Sequence, residues 1–143
     1  MSPDELASAC AEAMWADDHA SRGLGISLDH VGPNQSRLSM TVTQAMANGH
    51  GMCHGGFLFA LADSAFAFAC NTDNQRRVAA HCSITYLAPA ELGERLIATA
   101  EQRAEAGRSG LYDIRVETDS GRLIAEFRGL CRSLGQTFFP VAP

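Results

Sequence analysis

The chain has 143 residues, 46% of them hydrophobic and 19% charged, with a formal net charge of −5. That length and apolar share suit one globular domain over residues 1–143, not a disordered or fibrous chain. The acidic balance argues against nucleic acid as a partner, since phosphate binding needs a basic face.

The most apolar segment, residues 55–70, is short for a membrane span and is interrupted by Asp63. The five cysteines, Cys10, Cys53, Cys70, Cys82 and Cys131, are widely spaced and odd in number. They suit reduced thiols in a soluble cytoplasmic protein, and the opening Ser2-Pro3-Asp4-Glu5 carries no basic leader. All eleven basic residues are arginine, which compositional bias explains as readily as phosphate recognition does.

In chain order, a capping box of Ser2 with Glu5, and Pro3 in the first helical position, predict a helix with Leu6, Cys10, Ala13 and Met14 at helical spacing, ending between Asp17 and Gly23. Leu38, Met40 and Val42 alternate with polar residues and predict a half-buried strand over Ser36 to Val42, followed by a loop from Thr43 to His54. A long apolar helix then begins at Gly55. Beyond it the period changes to two. Val78, Ala80, Cys82, Ile84 and Tyr86 are expected on one face of a strand that stops at Pro89. Leu96, Ala98 and Ala100 define the next strand, which turns at Ala106 to Gly110. Tyr112, Ile114 and Val116 follow up to a turn at Asp119-Ser120-Gly121, and Leu123, Ala125, Phe127, Gly129 and Cys131 form the last strand. Strands joined by short turns imply an antiparallel sheet, covered by the one long helix. The fold class is α+β.

The chemistry concentrates in residues 48–70, NGHGMCHGGFLFALADSAFAFAC. A helix starting at Gly55 directs unpaired N–H groups and the positive end of its dipole at whatever lies before it, which suits an oxyanion. A lone Asp63 in an apolar helix is either a satisfied structural group or an acid–base group, and the glycine-rich entrance favours the second. His50, Cys53 and His54 match no common zinc spacing, so no metal is expected. Cys53 beside His54 is read as a neighbour of the site and not a nucleophile. His19, His30 and His81 are expected at the surface or in structural hydrogen bonds. Phe57, Phe59, Phe66 and Phe68 are expected in the core and at an interface, with Phe59 or Phe66 a candidate border for an acyl group.

The string Asn48-Gly49-His50-Gly51-Met52-Cys53-His54-Gly55-Gly56 with Leu61-Ala62-Asp63-Ser64-Ala65 resembles the active-site signature of hotdog-fold acyl-CoA thioesterases. The likeness runs on through Ile84 to Pro89, Leu92-Gly93-Glu94 and Tyr112-Asp113-Ile114, covering roughly residues 36–134, and is fullest for thioesterases of phenylacetate degradation. It implies a hotdog fold, an antiparallel sheet wrapped around one long central helix, here with an additional N-terminal helix. It implies hydrolysis of phenylacetyl-CoA or hydroxyphenylacetyl-CoA to free acid and coenzyme A, without a cofactor. By the resemblance, Gly55 supplies the N–H that polarises the thioester carbonyl, Asn48 and His54 shape the site, Asp63 is nucleophile or general base, and Ser64 helps place water. Tyr86 and the turn Gly107, Arg108, Ser109 and Gly110 fall where coenzyme A is held, Arg108 against a phosphate.

Helix geometry adds a constraint. Gly55 and Asp63 stand roughly 12 Å apart along the axis and about 80° around it, so they cannot flank one thioester carbon. The Asp63 that serves Gly55 is therefore expected from a second copy, in a two-fold homodimer with shared sites and a tendency to pair into a homotetramer. Two other functions stay open at this level: a hotdog hydratase or dehydratase of acyl thioesters, and a non-catalytic acyl-CoA binding module.

Overall fold

A computed structural model describes residues 1–141. Helix α1 (Pro3–Asp17) begins with the expected capping box: the N–H of Glu5 donates to Ser2 Oγ, and the Glu5 carboxylate accepts from the Ser2 N–H. Its buried stripe is Ala7, Cys10 and Ala11, while Leu6, Ala13 and Met14 are half-buried. The inward face is thus turned from the one the spacing predicts, because small side chains at Ala7 and Ala11 allow closer packing. Asp18 ends α1 and caps a second short helix, α2 (His19–Gly23).

Six antiparallel strands form one sheet, β1 (Ser27–Gly32), β2 (Gln35–Thr41), β3 (Arg77–Tyr86), β4 (Arg95–Ala106), β5 (Ser109–Thr118) and β6 (Leu123–Ser133), in the spatial order β1-β2-β4-β5-β6-β3. Helix α3 (Gly55–Cys70) crosses the inner face, mainly against β2, β4 and β5. The core between them holds Leu38, Met40, Leu61, Phe66, Leu96, Ile114 and Phe127, all at most 2% exposed. Phe66 lies between Tyr112 and Phe127, with ring centroids 5.8 and 6.0 Å away. Its ring packs flat on Gly129, where any side chain would collide with it. Phe66 and Phe68 are buried, and Phe57 and Phe59 pack at the core margin.

Two strands depart from strict alternation. In β3 the pairing with β6 steps from Ala79↔Cys131 to His81↔Leu130, so Ala80 is an extra, bulged residue. The residues on the helix-facing side are consequently Ala79, Cys82, Ile84 and Tyr86, opposite Cys131, Gly129, Phe127 and Ala125, with Ala79 and Tyr86 still exposed at this edge. Val78 and Ala80 do not share that face, contrary to the period-two reading, because the bulge reverses the phase before it. A similar bulge at Asp29 in β1 leaves Leu28 and Val31, three positions apart, opposite inward Leu38 and Ser36.

The far end of β3 is fastened by the chain's last described residues. Asn74, in the left-handed region at φ 60°, accepts from the N–H groups of Phe138 and Phe139 and donates to the Phe139 carbonyl. Arg76 donates to the Thr137 carbonyl and lies 4.4 Å over the Phe138 ring. Among the described residues, no helix is long and apolar enough to cross a membrane.

Candidate active site

The approach to α3 is a tight loop organised by Asn48. Its Oδ1 accepts from the N–H of His50 at 2.9 Å and of Met52 at 3.2 Å, which commits the oxygen to the loop and leaves Nδ2 as the free donor. His54 is the N-cap of α3. Its Nδ1 accepts from the Gly56 N–H at 2.9 Å, so a neutral ring carries its proton on Nε2. Its carbonyl accepts from the Phe57 N–H. Of the N–H groups that open the helix, these two are taken, and among the described residues none accepts from the N–H of Gly55.

Gly55 borders a groove of about 550 Å3 lined by Asn48, Met52, Cys53, Leu58, Tyr86 and Ala88, among others. Tyr86 reaches across from the end of β3 and donates its hydroxyl to the Gly55 carbonyl at 3.0 Å. A Cβ on Gly55 would stand 3.0 Å from the Tyr86 ring and hydroxyl. Glycine is therefore what lets the backbone and the Tyr86 ring meet. Asn48, His54 and Gly55 lie together at the start of α3, and Tyr86, which the resemblance grouped with the turn Gly107 to Gly110, lies with them.

Asp63 is elsewhere on α3, half-buried. Burial raises its carboxyl above the ordinary carboxylate value, because removing water penalises the charged form. Among the described residues, its side chain has one hydrogen-bond partner, the Cys82 thiol on β3, with Sγ 4.0 Å from Oδ1. Sequence reasoning placed Cys82 on the inner face of β3 but missed this contact. Two segments far apart in sequence meet there, and no local pattern marks the pair. Ser64 is half-buried, with its hydroxyl 2.9 Å from that of Ser21 on α2.

The turn Gly107 to Gly110 does not join this group within one protomer. Ser109 pairs with Arg132 and Tyr86 with Ala125, so along β6 the two places are separated by roughly 23 Å at about 3.3 Å per residue. Gly107, at φ 60°, makes the tight reversal, and among the described residues Arg108 has no ion-pair partner. Elsewhere on the outer face of the sheet, Arg103 and Arg128 both clasp Asp113, and Arg128, foremost, holds its carboxyl below the usual value.

Comparison with known proteins identifies the family and agrees with the fold. Residues 50–125 match the Thioesterase superfamily model. The chain is 41% identical over 127 residues to acyl-coenzyme A thioesterase PaaI of Escherichia coli (strain K12), covering 89% of this chain and 91% of that one. The solved structure of the E. coli PaaI protein from the phenylacetic acid degradation operon superposes with a TM-score of 0.93, at 40% identity over 95% of this chain and 99% of that one. A mutant structure of the phenylacetic acid degradation protein PaaI from Thermus thermophilus gives a TM-score of 0.77, at 36% identity over 80% of this chain and 97% of that one. Acyl-coenzyme A thioesterase 13 of Homo sapiens is 30% identical over 121 residues, covering 82% of this chain and 86% of that one. The chain therefore belongs to the thioesterase superfamily, as a hotdog-fold thioester hydrolase homologous to acyl-CoA thioesterases.

Proposed function

We propose that the chain hydrolyses aryl-acetyl-CoA thioesters, of the phenylacetyl-CoA or hydroxyphenylacetyl-CoA type, in the cytoplasm. The observation that carries the catalytic part is the unclaimed N–H of Gly55 at the mouth of an apolar groove, next to N–H groups that His54 has already satisfied. A thioester carbonyl seated there receives that N–H and the positive end of α3. A single prearranged donor of this kind is typically worth about a hundredfold to a thousandfold in rate. The aryl-acetyl preference draws on the PaaI relatives and on the apolar lining from Met52, Leu58 and Leu87 to Pro89.

Asp63 completes the reaction from the neighbouring protomer. It stands too far along α3 to serve its own Gly55. Edge strand β3, ten residues long, pairs among the described residues only with β6 and exposes Val78 at 48%. Such an edge calls for a partner. A two-fold copy pairing there gives two equivalent shared sites, and pairing of dimers gives a tetramer. Asp63 either adds to the carbonyl to give a mixed anhydride or takes a proton from the attacking water. Arg108 and its turn hold the coenzyme A phosphates.

A thiol-release assay over short, long and aryl acyl-CoA substrates tests the reading, with Asp63→Ala beside the wild type. Fastest release from aryl-acetyl-CoA is expected, with Asp63→Ala losing at least about a hundredfold while coenzyme A binding persists. Near-normal turnover by Asp63→Ala, or a fully active monomer, would overturn it.

A further inference from the structure

Ser64 follows Asp63 on α3, and its Oγ lies 2.9 Å from the Oγ of Ser21. Ser21 is 3% exposed and is bound twice to Asp18. Its N–H donates to Oδ1 at 2.9 Å and its hydroxyl to Oδ2 at 2.7 Å. A carboxylate only accepts, and a hydroxyl has one proton to give. With the Ser21 proton committed to Asp18, the bond between the two serines must run from Ser64 to Ser21. The Ser64 proton is thereby drawn toward α2, and its oxygen is left as an acceptor one residue along α3 from Asp63.

We infer that Asp18 and Ser21 are positioning residues that fix the direction of the Ser64 hydroxyl, so that Ser64 and Asp63 together orient the hydrolytic water. The inference rests on Asp63 being the catalytic carboxylate and on its taking a proton from the attacking water. The water gives one hydrogen to Ser64 Oγ and the other to the Asp63 carboxylate, and its lone pair faces the thioester carbon. Its oxygen adds to that carbon as the proton on the Asp63 side passes to the carboxylate. The tetrahedral intermediate then expels sulfur, and the thiolate takes the proton back, giving free acid and thiol. A Ser64 hydroxyl pointing the other way would offer the water a hydrogen and turn its lone pair aside.

Asp18→Asn tests the direction of the chain at almost constant size. The amide oxygen keeps the Ser21 N–H, the amide nitrogen donates to Ser21 Oγ, and the Ser21 proton turns toward Ser64. The expected result is a kcat lowered about tenfold, the worth of one hydrogen bond, with KM within about twofold and an unchanged melting temperature. In a Ser64→Ala background, Asp18→Asn should cost nothing further. Wild-type kcat for Asp18→Asn, or a loss that persists in full without the Ser64 hydroxyl, would overturn the inference. Asp63→Ala separates the two levels: if it retains turnover, the parent reading fails, and if it is inactive while Asp18→Asn is normal, only the role of α2 fails.

Discussion

Gly129→Ala places a methyl group where the structure has no room. The new Cβ would stand 2.6 to 2.7 Å from three ring atoms of Phe66, whereas carbon atoms rest at about 3.5 to 4.0 Å. The ring cannot swing away. It is 1% exposed and held between Tyr112 and Phe127, so β6 must lift from α3 by about 1 Å. Overpacking of this kind costs about 2 kcal/mol. With an unfolding entropy of roughly 2.1 cal/mol/K per residue, a chain of 143 residues loses about 7 °C in Tm, read by circular dichroism. Gly129 also pairs with Cys82, the neighbour of Asp63, so turnover should fall along with stability. Phe66→Leu removes the colliding ring atoms, and the double variant should be more stable than the two single losses added together. An unchanged Tm for Gly129→Ala, or strict additivity with Phe66→Leu, would refute the packing argument.

Asp63→Asn should separate activity from stability. Burial raises the folded carboxyl above its ordinary value, so ionising it costs stability. That cost is absent below the unfolded value, grows as pH rises through the raised folded value, and is full above it. The variant should therefore melt higher than wild type at neutral pH and lose that advantage in acid, as pH-dependent thermal unfolding would show; a lower Tm at neutral pH would contradict the burial argument. Arg108→Ala should raise KM for acyl-CoA several-fold and flatten its salt dependence while leaving kcat nearly unchanged. Steady-state kinetics at two ionic strengths check this, and an unchanged KM would remove Arg108 from coenzyme A binding.

Much of the architecture was legible because alternation is regular where the sheet is regular. Leu38, Met40 and Val42, then Leu96, Ala98 and Ala100, then Tyr112, Ile114 and Val116, are the inward rows the sequence predicts. Reading fails at bulges. β1 escaped notice because the extra Asp29 spaces Leu28 and Val31 like a helix, and in β3 the extra Ala80 exchanges Val78 for Ala79 on the inner face. The start of α3 at Gly55 was legible because a helix start is a local event written in adjacent residues, whereas Asn48 and Tyr86 entered only through the resemblance. The Cys82 contact with Asp63 and the serine pair of Ser21 and Ser64 join segments distant in sequence, and no local pattern marks them.

The clasp made by Asn74 and Arg76 on residues 136–139 gives the chain's last stretch an influence over a strand that begins about sixty residues earlier. Cutting that stretch away would leave the Asn74 amide with bare polar atoms and loosen the anchorage of β3. The strand carrying Cys82 would then fray from its Arg77 end. Shortening the tail should thus reach the reaction centre through the backbone, without touching any group that meets substrate.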